Sequence, residues 1–309
     1  GKELARTFID CAALISTARW EDYGTQCLAA SFVGHHADEP DVTRDEMIPR
    51  LTAARVAFPD LVLEPQLVLV SGRTVLGVLL MKGTNGGPLR GEAGELPATK
   101  QKIGVLMYER VAMDDENKAT EQWAYFDPAT MLGQLGHQKA MPTRPPVEGS
   151  LPDAPIVAVA ADDDRERANL AIVRRGNEAF NAKKAADLMA LFADDAIEAD
   201  QATPGDVKGK PAIEQALRGL WKAFPDARGE ISSTWAAGDH VVAELRFTGT
   251  HDGPLGGLPR TGKKVAFQYA EIFKLKDGKI VELWRFRNGI ALAQQLGAGG
   301  PAKGAAPAR

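Results

Sequence analysis

The residues best suited to chemistry lie in a stretch of sequence that the chain writes twice. Residues 123–136 read WAYFDPATMLGQLG, and residues 284–297 read WRFRNGIALAQQLG. Side chains alternate along a strand, so each stretch places three of its residues on one face. These are Trp123, Tyr125 and Asp127 in the first stretch, and Trp284, Phe286 and Asn288 in the second. A carboxylate at the end of an aromatic wall is poorly solvated, which suits general acid/base chemistry at carbon. An asparagine at that place can only bind by hydrogen bonding.

Asp127 also stands where a helix cap is expected. It precedes Pro128, and aspartate followed by proline is a favourable start for a helix. Asn288, which precedes Gly289, would serve as a cap or turn equally well. Capping therefore explains why both residue types are acceptable here. The two interpretations are not exclusive, and both remain open at this stage.

The repetition extends over most of the chain and indicates a duplicated domain. The sequence AFPD occurs at residues 57–60 and again at residues 223–226, and KGTNGGPLRG in the first half lies opposite TGTHDGPLGG in the second. A proline-rich segment without periodicity separates the copies. The predicted division is 1–136 for the first copy, 137–164 for the linker, 165–297 for the second copy and 298–309 for a low-complexity tail.

The elements that must position these residues follow one plan in both copies. In the second copy, apolar residues first recur at helical spacing, as in GKPAIEQALRGLWKAFPD. The period then changes to two in VVAELRFTGT, KKVAFQYAEIFKL and KIVELWRFRN, with KDG as a tight turn between the last two. Helices followed by an antiparallel meander predict an α+β fold.

Several motifs together resemble the SnoaL-like polyketide cyclase (ester cyclase) family of the nuclear-transport-factor-2-like superfamily. They are AFPD, GTHDGPLGGLPRTGKKV, IFKLKDGKIVELW and the terminal QLG. The resemblance implies two tandem cone-shaped domains, each with N-terminal helices packed on a curved antiparallel sheet that encloses an apolar cavity. It also implies a pseudo-dimer formed within one chain, with further homo-oligomers an open possibility, and catalysis without metal or organic cofactor.

The resemblance further implies a cavity aspartate that acts as acid/base, with a histidine nearby. Asp127 takes the first role, and His35, in the strand-like FVGHHADEP, takes the second. The second copy has Asp200 at the corresponding place and the GTH histidine at His251, where the first copy has Asn85. The predicted ligand-binding residues are Trp123, Tyr125, Asp200, His251, Trp284, Phe286 and Asn288.

Bulk properties exclude several other classes. The net charge is −4 and basic residues are not clustered, so we expect no nucleic-acid partner, and no segment is apolar enough for a membrane helix. Adjacent His35 and His36 would point to opposite faces of a strand, so we expect no metal site.

Cys11 and Cys27 could bridge neighbouring helices, although two buried thiols are the favoured interpretation. We expect a cytoplasmic protein, with a removed N-terminal signal left open.

Three functions remain. The first is a cofactor-free acid/base enzyme acting on a hydrophobic carbonyl compound, by aldol cyclisation or, as neighbouring chemistries, isomerisation or hydration. The second is a protein that holds an apolar ligand in two aromatic-lined cavities without changing it. The third is an interaction module, which would have cavities too small for any ligand. Fold alone does not decide among them.

Overall fold

The computed structural model describes residues 1–36, 40–91, 94–138, 142–149 and 155–298. Helices precede a sheet in the first half of the chain, and the same order recurs in the second half. The structure therefore confirms a duplicated α+β architecture. The boundaries between copies, linker and tail remain predictions, and all of the tail except Ala298 lies outside the described residues.

Over its described residues, the first copy contains four helices, a π-helical turn and eight strands. Its helices are α1 (Lys2–Ser16), α2 (Trp20–Asp22), α3 (Arg44–Ala57) and α4 (Pro128–Gln134), and the π-turn is Tyr23–Cys27. Its strands are β1 (Leu28–His36), β2 (Val42–Thr43), β3 (Val62–Ser71), β4 (Thr74–Thr84), β5 (Leu89–Gly91), β6 (Gly94–Leu96), β7 (Lys102–Met113) and β8 (Ala119–Tyr125).

The second copy repeats this order, after one strand that lies in the segment predicted as a linker, β9 (Ile156–Val159). Its helices are α5 (Asp164–Asn181), α6 (Ala185–Met189), α7 (Lys210–Ala223) and α8 (Gly289–Leu296). Its strands are β10 (Phe192–Asp200), β11 (Val207–Lys208), β12 (Arg228–Ala237), β13 (His240–Thr250), β14 (Lys264–Lys276) and β15 (Lys279–Arg287).

Each copy contributes one large sheet. The first has the strand order β2-β1-β8-β7-β4-β3-β9, and the second has the order β11-β10-β15-β14-β13-β12. Neighbouring strands are antiparallel except for three pairs, β1–β8, β3–β9 and β10–β15, which are parallel. In both copies, therefore, the last long strand lies between the first strand and the central hairpin, at the middle of the sheet.

Helices cover one face of each sheet because their apolar residues lie on a single side. In α1 the buried positions are Leu4, Ala5, Phe8, Ala12 and Ile15, which recur at helical spacing. The ring of Phe8 lies directly over Gly77 of β4, where a Cβ atom would collide with it. The absence of a side chain at Gly77 thus lets α1 pack closely onto the sheet.

The opposite faces of the two sheets pack against each other. A separate apolar cluster joins residues of both copies, with Leu67, Leu69, Leu76, Val78, Tyr108 and Tyr125 from the first and Ala237, Val242, Ala270, Ile272 and Phe286 from the second. A buried ion pair lies within this contact. Glu244 accepts hydrogen bonds from Arg110 Nε at 2.6 Å, Arg110 Nη2 at 2.8 Å and Tyr108 Oη at 2.8 Å. We call this surface the inter-sheet contact.

Candidate functional site

The aromatic face of the repeated strand belongs to the inter-sheet contact. Tyr125 and Phe286 are buried in its apolar cluster, and Trp123 and Trp284 pack against that cluster. The expectation that these four side chains line a cavity is therefore wrong. Both faces of each sheet are covered, one by helices and one by the other copy, so alternation alone does not reveal which face is the inner one.

Asp127 is a helix cap at the junction of the two copies. Its Oδ2 accepts hydrogen bonds from the Thr130 backbone nitrogen at 2.9 Å and from Thr130 Oγ1 at 2.7 Å. Its Oδ1 accepts a third bond from the backbone nitrogen of Gly289, in the other copy, at 2.8 Å. Only 2% of the residue is exposed. The capping interpretation is confirmed, and the carboxylate is engaged between two helix starts.

Asn288 caps its own helix, with Oδ1 accepting from the Ala291 backbone nitrogen at 3.1 Å. The matching bond to the first copy cannot form, because the residue equivalent to Gly289 is Pro128, which has no backbone N–H. One carboxylate thus serves two helix starts, whereas Asn288 serves one. This asymmetry accounts for the change from aspartate to asparagine without invoking catalysis.

His35 lies on the same side of the sheet as Trp123. Its Nδ1 is 2.8 Å from Asp41 Oδ1, and its ring stacks on Trp123 with ring centres 5.0 Å apart. The other contact of Trp123 is the Arg110 guanidinium, 3.6 Å from the ring centre. The structure gives His35 and Asp127 different partners and does not bring them together as an acid/base pair.

Two correspondences made from sequence need correction. His35 pairs with Trp123 in the register of β1 and β8, and Ala199 pairs with Trp284 in the register of β10 and β15. The equivalent of His35 is therefore Ala199, and Asp200 corresponds to His36. Because a shift of one residue moves a side chain to the opposite face of a strand, Asp200 lies on the face that the helices of its own copy cover. We call this face of each sheet the inner face.

His251 is fully buried and has a structural role. Its Nδ1 is 2.9 Å from Thr261 Oγ1. At the equivalent place, Asn85 Oδ1 accepts from the Thr99 backbone nitrogen at 2.7 Å. Both residues tie the glycine-rich loop to the start of the following long strand. Because His251 bonds Thr261 and the Asp200 carboxylate bonds Arg287 at 2.9 Å, the structure does not join His251 and Asp200 as a pair.

The inner face of the second copy carries an ion network that pattern reading missed. Arg285 bonds Glu271 at 2.8 Å and Glu198 at 2.6 Å, while Arg287 holds Asp200. Burial, the largest influence, raises the pKa of Glu271, and the charge of Arg285 opposes it. Burial also acts to raise the pKa of Asp200, but Arg287 and Arg285 together hold it below its usual value. Paired charges thus line the inner face of this copy.

The inner face of the first copy has a different character. Glu109 lies at the position of Glu271, but the residue paired with it across the sheet is Ala124, where the second copy has Arg285. Burial raises the pKa of Glu109 to about 7, with a hydrogen bond from Gln122 acting in the opposite direction. In the described part of the chain, no cation acts on the pKa of this carboxyl beside burial and that hydrogen bond. Glu109 is therefore able to gain and lose a proton near neutral pH.

Glu109 lines a cavity of about 30 Å³ whose wall is otherwise mainly apolar. The other polar residues in the wall are Gln122 and Tyr23. Gln122 is 7% exposed, and its Oε1 has no hydrogen-bond partner within the described part of the chain. Burial, and after it the charge of Glu109, raises the pKa of Tyr23, so the phenol stays a hydrogen-bond donor. We call Glu109, Gln122 and Tyr23 the polar trio.

The sequence held one signal for this site. LPATKQK in the first copy matches LPRTGKK in the second, and this match places Glu109 opposite Glu271. A glutamate at the same inward position of an apolar strand in both copies is unusual, because carboxylates are seldom buried without a role. This signal is lost when the face of Trp123 and Tyr125 is assigned to the cavity, because Glu109 belongs to the other face.

The same cavity contains a disulfide. Cys11 of α1 and Cys27 of the π-turn are bonded to each other, and both line the cavity. The expectation of two unpaired thiols is therefore wrong. Because disulfides persist mainly in oxidising compartments, this bond gives no support to the expected cytoplasmic location, which stays a prediction.

The described residues contain no group of three or more His, Cys, Asp or Glu side chains that could hold a metal ion. In the same residues, no helix combines the length and the apolar character that crossing a membrane requires.

Comparison with known proteins gives consistent matches in both halves. The family model described as SnoaL-like polyketide cyclase matches residues 2–135 and 171–296. The chain is 29% identical over 133 residues to the aklanonic acid methyl ester cyclase DnrD of Streptomyces peucetius, a match that covers 41% of this chain and 88% of that protein.

Solved structures match a little under half of the chain. AclR, a putative hydroxylase from Streptomyces galilaeus, is 26% identical over 43% of this chain and 82% of its own, with a TM-score of 0.39. A putative SnoaL-like polyketide cyclase from Jannaschia sp. CCS1 is 23% identical over 45% of this chain and 97% of its own, with a TM-score of 0.42. With its two matched segments, the chain belongs to the SnoaL-like polyketide cyclase family.

Proposed function

We propose that the first copy is a cofactor-free acid/base catalyst that acts on an apolar, carbonyl-bearing small molecule, with Glu109 as the base. The observation that carries the proposal is the position of Glu109 in the wall of a mainly apolar cavity, where burial raises its pKa to about 7. A general base is most effective when its pKa lies near the working pH. Asp127 is engaged as a cap and His35 stacks on Trp123 on the opposite face of the sheet, so neither residue lines this cavity.

The polar trio supports a division of labour. The Glu109 carboxylate removes a proton from the carbon next to a carbonyl group, and the neutral Tyr23 phenol donates a hydrogen bond to the resulting enolate oxygen. The enolate carbon then forms a bond to a second carbonyl carbon of the same molecule, and the new alkoxide takes the proton back from Glu109. Gln122 orients the carboxylate. An aldol ring closure of this kind agrees with the ester cyclase activity named for the Streptomyces relative.

We assign the second copy a supporting role. Arginine residues pair the carboxylates of its inner face, so an apolar ligand would have to displace or desolvate charges to enter. Its other sheet face buries the aromatic residues of the first copy. We expect the two copies to act as a pseudo-dimer within one chain, and the protein to be monomeric, because the face-to-face contact is already used.

A second candidate function is favoured by the size of the cavity. A volume of about 30 Å³ has room for about two water molecules, so an organic ligand fits only if apolar side chains of the wall move. A protein whose cavities stay closed would be the interaction module considered above. One whose cavity opens without reaction would be a binding protein.

Proton exchange at carbon distinguishes these candidates without knowledge of the natural substrate. The chain is incubated in D2O with aklanonic acid methyl ester and with simple 1,3-diketones, and deuterium uptake next to the carbonyl is followed by NMR. We expect uptake above the buffer rate, reduced about 100-fold or more by Glu109→Gln. Glu271→Gln is the matched control and should retain it. Equal rates with wild type and Glu109→Gln would reject Glu109 as the base.

A further inference from the structure

The two copies differ by one residue beside the cavity. Leu28 and Phe192 are equivalent, since each opens the first strand and pairs with the last strand of its sheet. The first helix of each copy is followed by a residue of positive φ, Ala18 (φ 56°) in the first copy and Lys183 (φ 58°) in the second. Leu28 comes ten residues after Ala18, whereas Phe192 comes nine residues after Lys183. The first copy accommodates the extra residue in the π-turn Tyr23–Cys27. Single π-turns of this kind are frequent at functional sites.

The π-turn supplies the cavity with two of its residues. Tyr23 opens the turn and Cys27 ends it, and both line the cavity together with Glu109. The disulfide joins the end of the turn to Cys11, which lies on the inner side of α1. The turn that carries Tyr23 is thus linked covalently to the helix that covers the sheet.

The second copy shows that this place in the fold needs no covalent link. The equivalents of Cys11 and Cys27 are Gly176 and Leu191, and Leu191 Cδ1 lies 3.5 Å from the Cβ position of Gly176. An ordinary van der Waals contact therefore closes the same gap, and the segment there is an α-helical turn with no extra residue. The disulfide and the π-turn occur together in the copy that has the polar trio and are both missing from the copy that has the ion network.

We propose that the Cys11–Cys27 disulfide is a redox-sensitive positioning element that holds Tyr23 against Glu109. The inference rests on the proposed function, because it concerns the residues of that same site. A dithiol reductant transfers two electrons and two protons to the bond, giving two cysteine thiols, and closes to its own disulfide. The π-turn, no longer linked to α1, can then release its extra residue outward and move Tyr23 away from the cavity.

Release of the turn changes the surroundings of Glu109 in a measurable way. Burial is what raises the pKa of this carboxyl, and an opened wall lets water reach it. Tyr23 is the other titratable group in the cavity wall besides the bonded cysteines, and it is neutral across the range in question because its own pKa is raised. The pKa of Glu109 should therefore fall when the disulfide is reduced.

The test is a carboxyl NMR titration of the full chain labelled with carbon-13 at glutamate, before and after treatment with dithiothreitol. Glu109→Gln identifies the signal, and Glu271, which is remote from any cysteine, is the internal control. We expect the Glu109 midpoint to fall by about one unit or more, with Glu271 unchanged, and deuterium uptake to fall about tenfold. The variant Cys11→Gly/Cys27→Leu copies the pair found in the second copy and should behave as the reduced protein.

Each outcome decides a separate point. The same Glu109 midpoint in oxidised and reduced protein overturns the positioning role, and so does a disulfide that dithiothreitol does not reduce in the folded chain, as judged by thiol alkylation. A lowered midpoint without deuterium uptake in either form supports the positioning role and rejects the proposed catalysis. Because dithiothreitol acts on the folded wild type, the test does not depend on whether the double variant folds.

Discussion

Asp127 Oδ1 lies 2.8 Å from the backbone nitrogen of Gly289, and this hydrogen bond connects the last helix of one copy to the last helix of the other. The same carboxylate caps α4 through Thr130. Its negative charge thus lies at the positive ends of two helix dipoles, where an anion is stabilised. An aspartate in place of Asn288 would add a second negative charge to the junction. It would gain no matching hydrogen bond, because Pro128, the equivalent of Gly289, has no backbone N–H.

The first prediction concerns this junction. Asp127→Ala should lower the free energy of unfolding by about 3 kcal/mol, about 1 for the cap and about 2 for the charged bond to Gly289. Asn288→Ala, which removes a cap alone, should lower it by about 1 kcal/mol. Urea unfolding of both variants checks the difference. Equal losses would show that the bond between the copies adds nothing.

The second prediction tests the closeness of the same contact. A Cβ atom on Gly289 would lie 2.9 Å from Asp127 Oδ1, so Gly289→Ala should push the carboxylate away and destabilise the protein by about 1 kcal/mol or more, because a charged hydrogen bond is weakened. Gly219 of α7 is the matched control, since a Cβ there meets no atom within 4 Å. Gly219→Ala should stabilise by about 0.5–1 kcal/mol. Thermal unfolding compares the two, and a stabilised Gly289→Ala protein would contradict the prediction.

The third prediction concerns the ion pair of the inter-sheet contact. Arg110 and Glu244 have side chains only 14% and 7% exposed, and removal of one charge from a buried pair leaves the other uncompensated. Glu244→Gln should therefore cost about 3–5 kcal/mol of unfolding free energy. Glu214→Gln breaks a pair with Arg218 whose side chains are 34% and 62% exposed, and should cost about 0.5 kcal/mol or less. Similar losses in urea unfolding would mean that this ion pair contributes no more than an exposed one.

The sequence was sufficient for the repeat, the α+β plan, the family and the cap at Asp127, because each of these depends on local patterns. It misassigned the aromatic face, because both sides of each sheet are buried and both alternating sets look like a core. Counting along the sequence also matched His35 with Asp200, although its equivalent in the strand pairing is Ala199. The π-turn Tyr23–Cys27 has one residue more than the second copy has at that place, so every residue of β1 is moved by one against its counterpart when positions are counted along the chain. Glu109 was missed because its environment depends on Ala124, a neighbour across the sheet.

The fourth prediction is a pH dependence that follows from Glu109. Its pKa is about 7 in the folded protein and about 4.5 when unfolded, so between these values the folded state binds more protons than the unfolded state. The contribution of Glu109 to stability is then fully present below pH 4.5 and is lost as the pH rises through 7, a change of about 3 kcal/mol. As the pH rises over that range, the free energy of unfolding of the wild type, measured with urea, should fall by about this amount relative to that of Glu109→Gln. Glu271→Gln, whose site keeps its arginine, serves as the comparison. Parallel curves for wild type and Glu109→Gln would mean that the carboxyl titrates normally, and catalysis by a base with a pKa near 7 would fail with it.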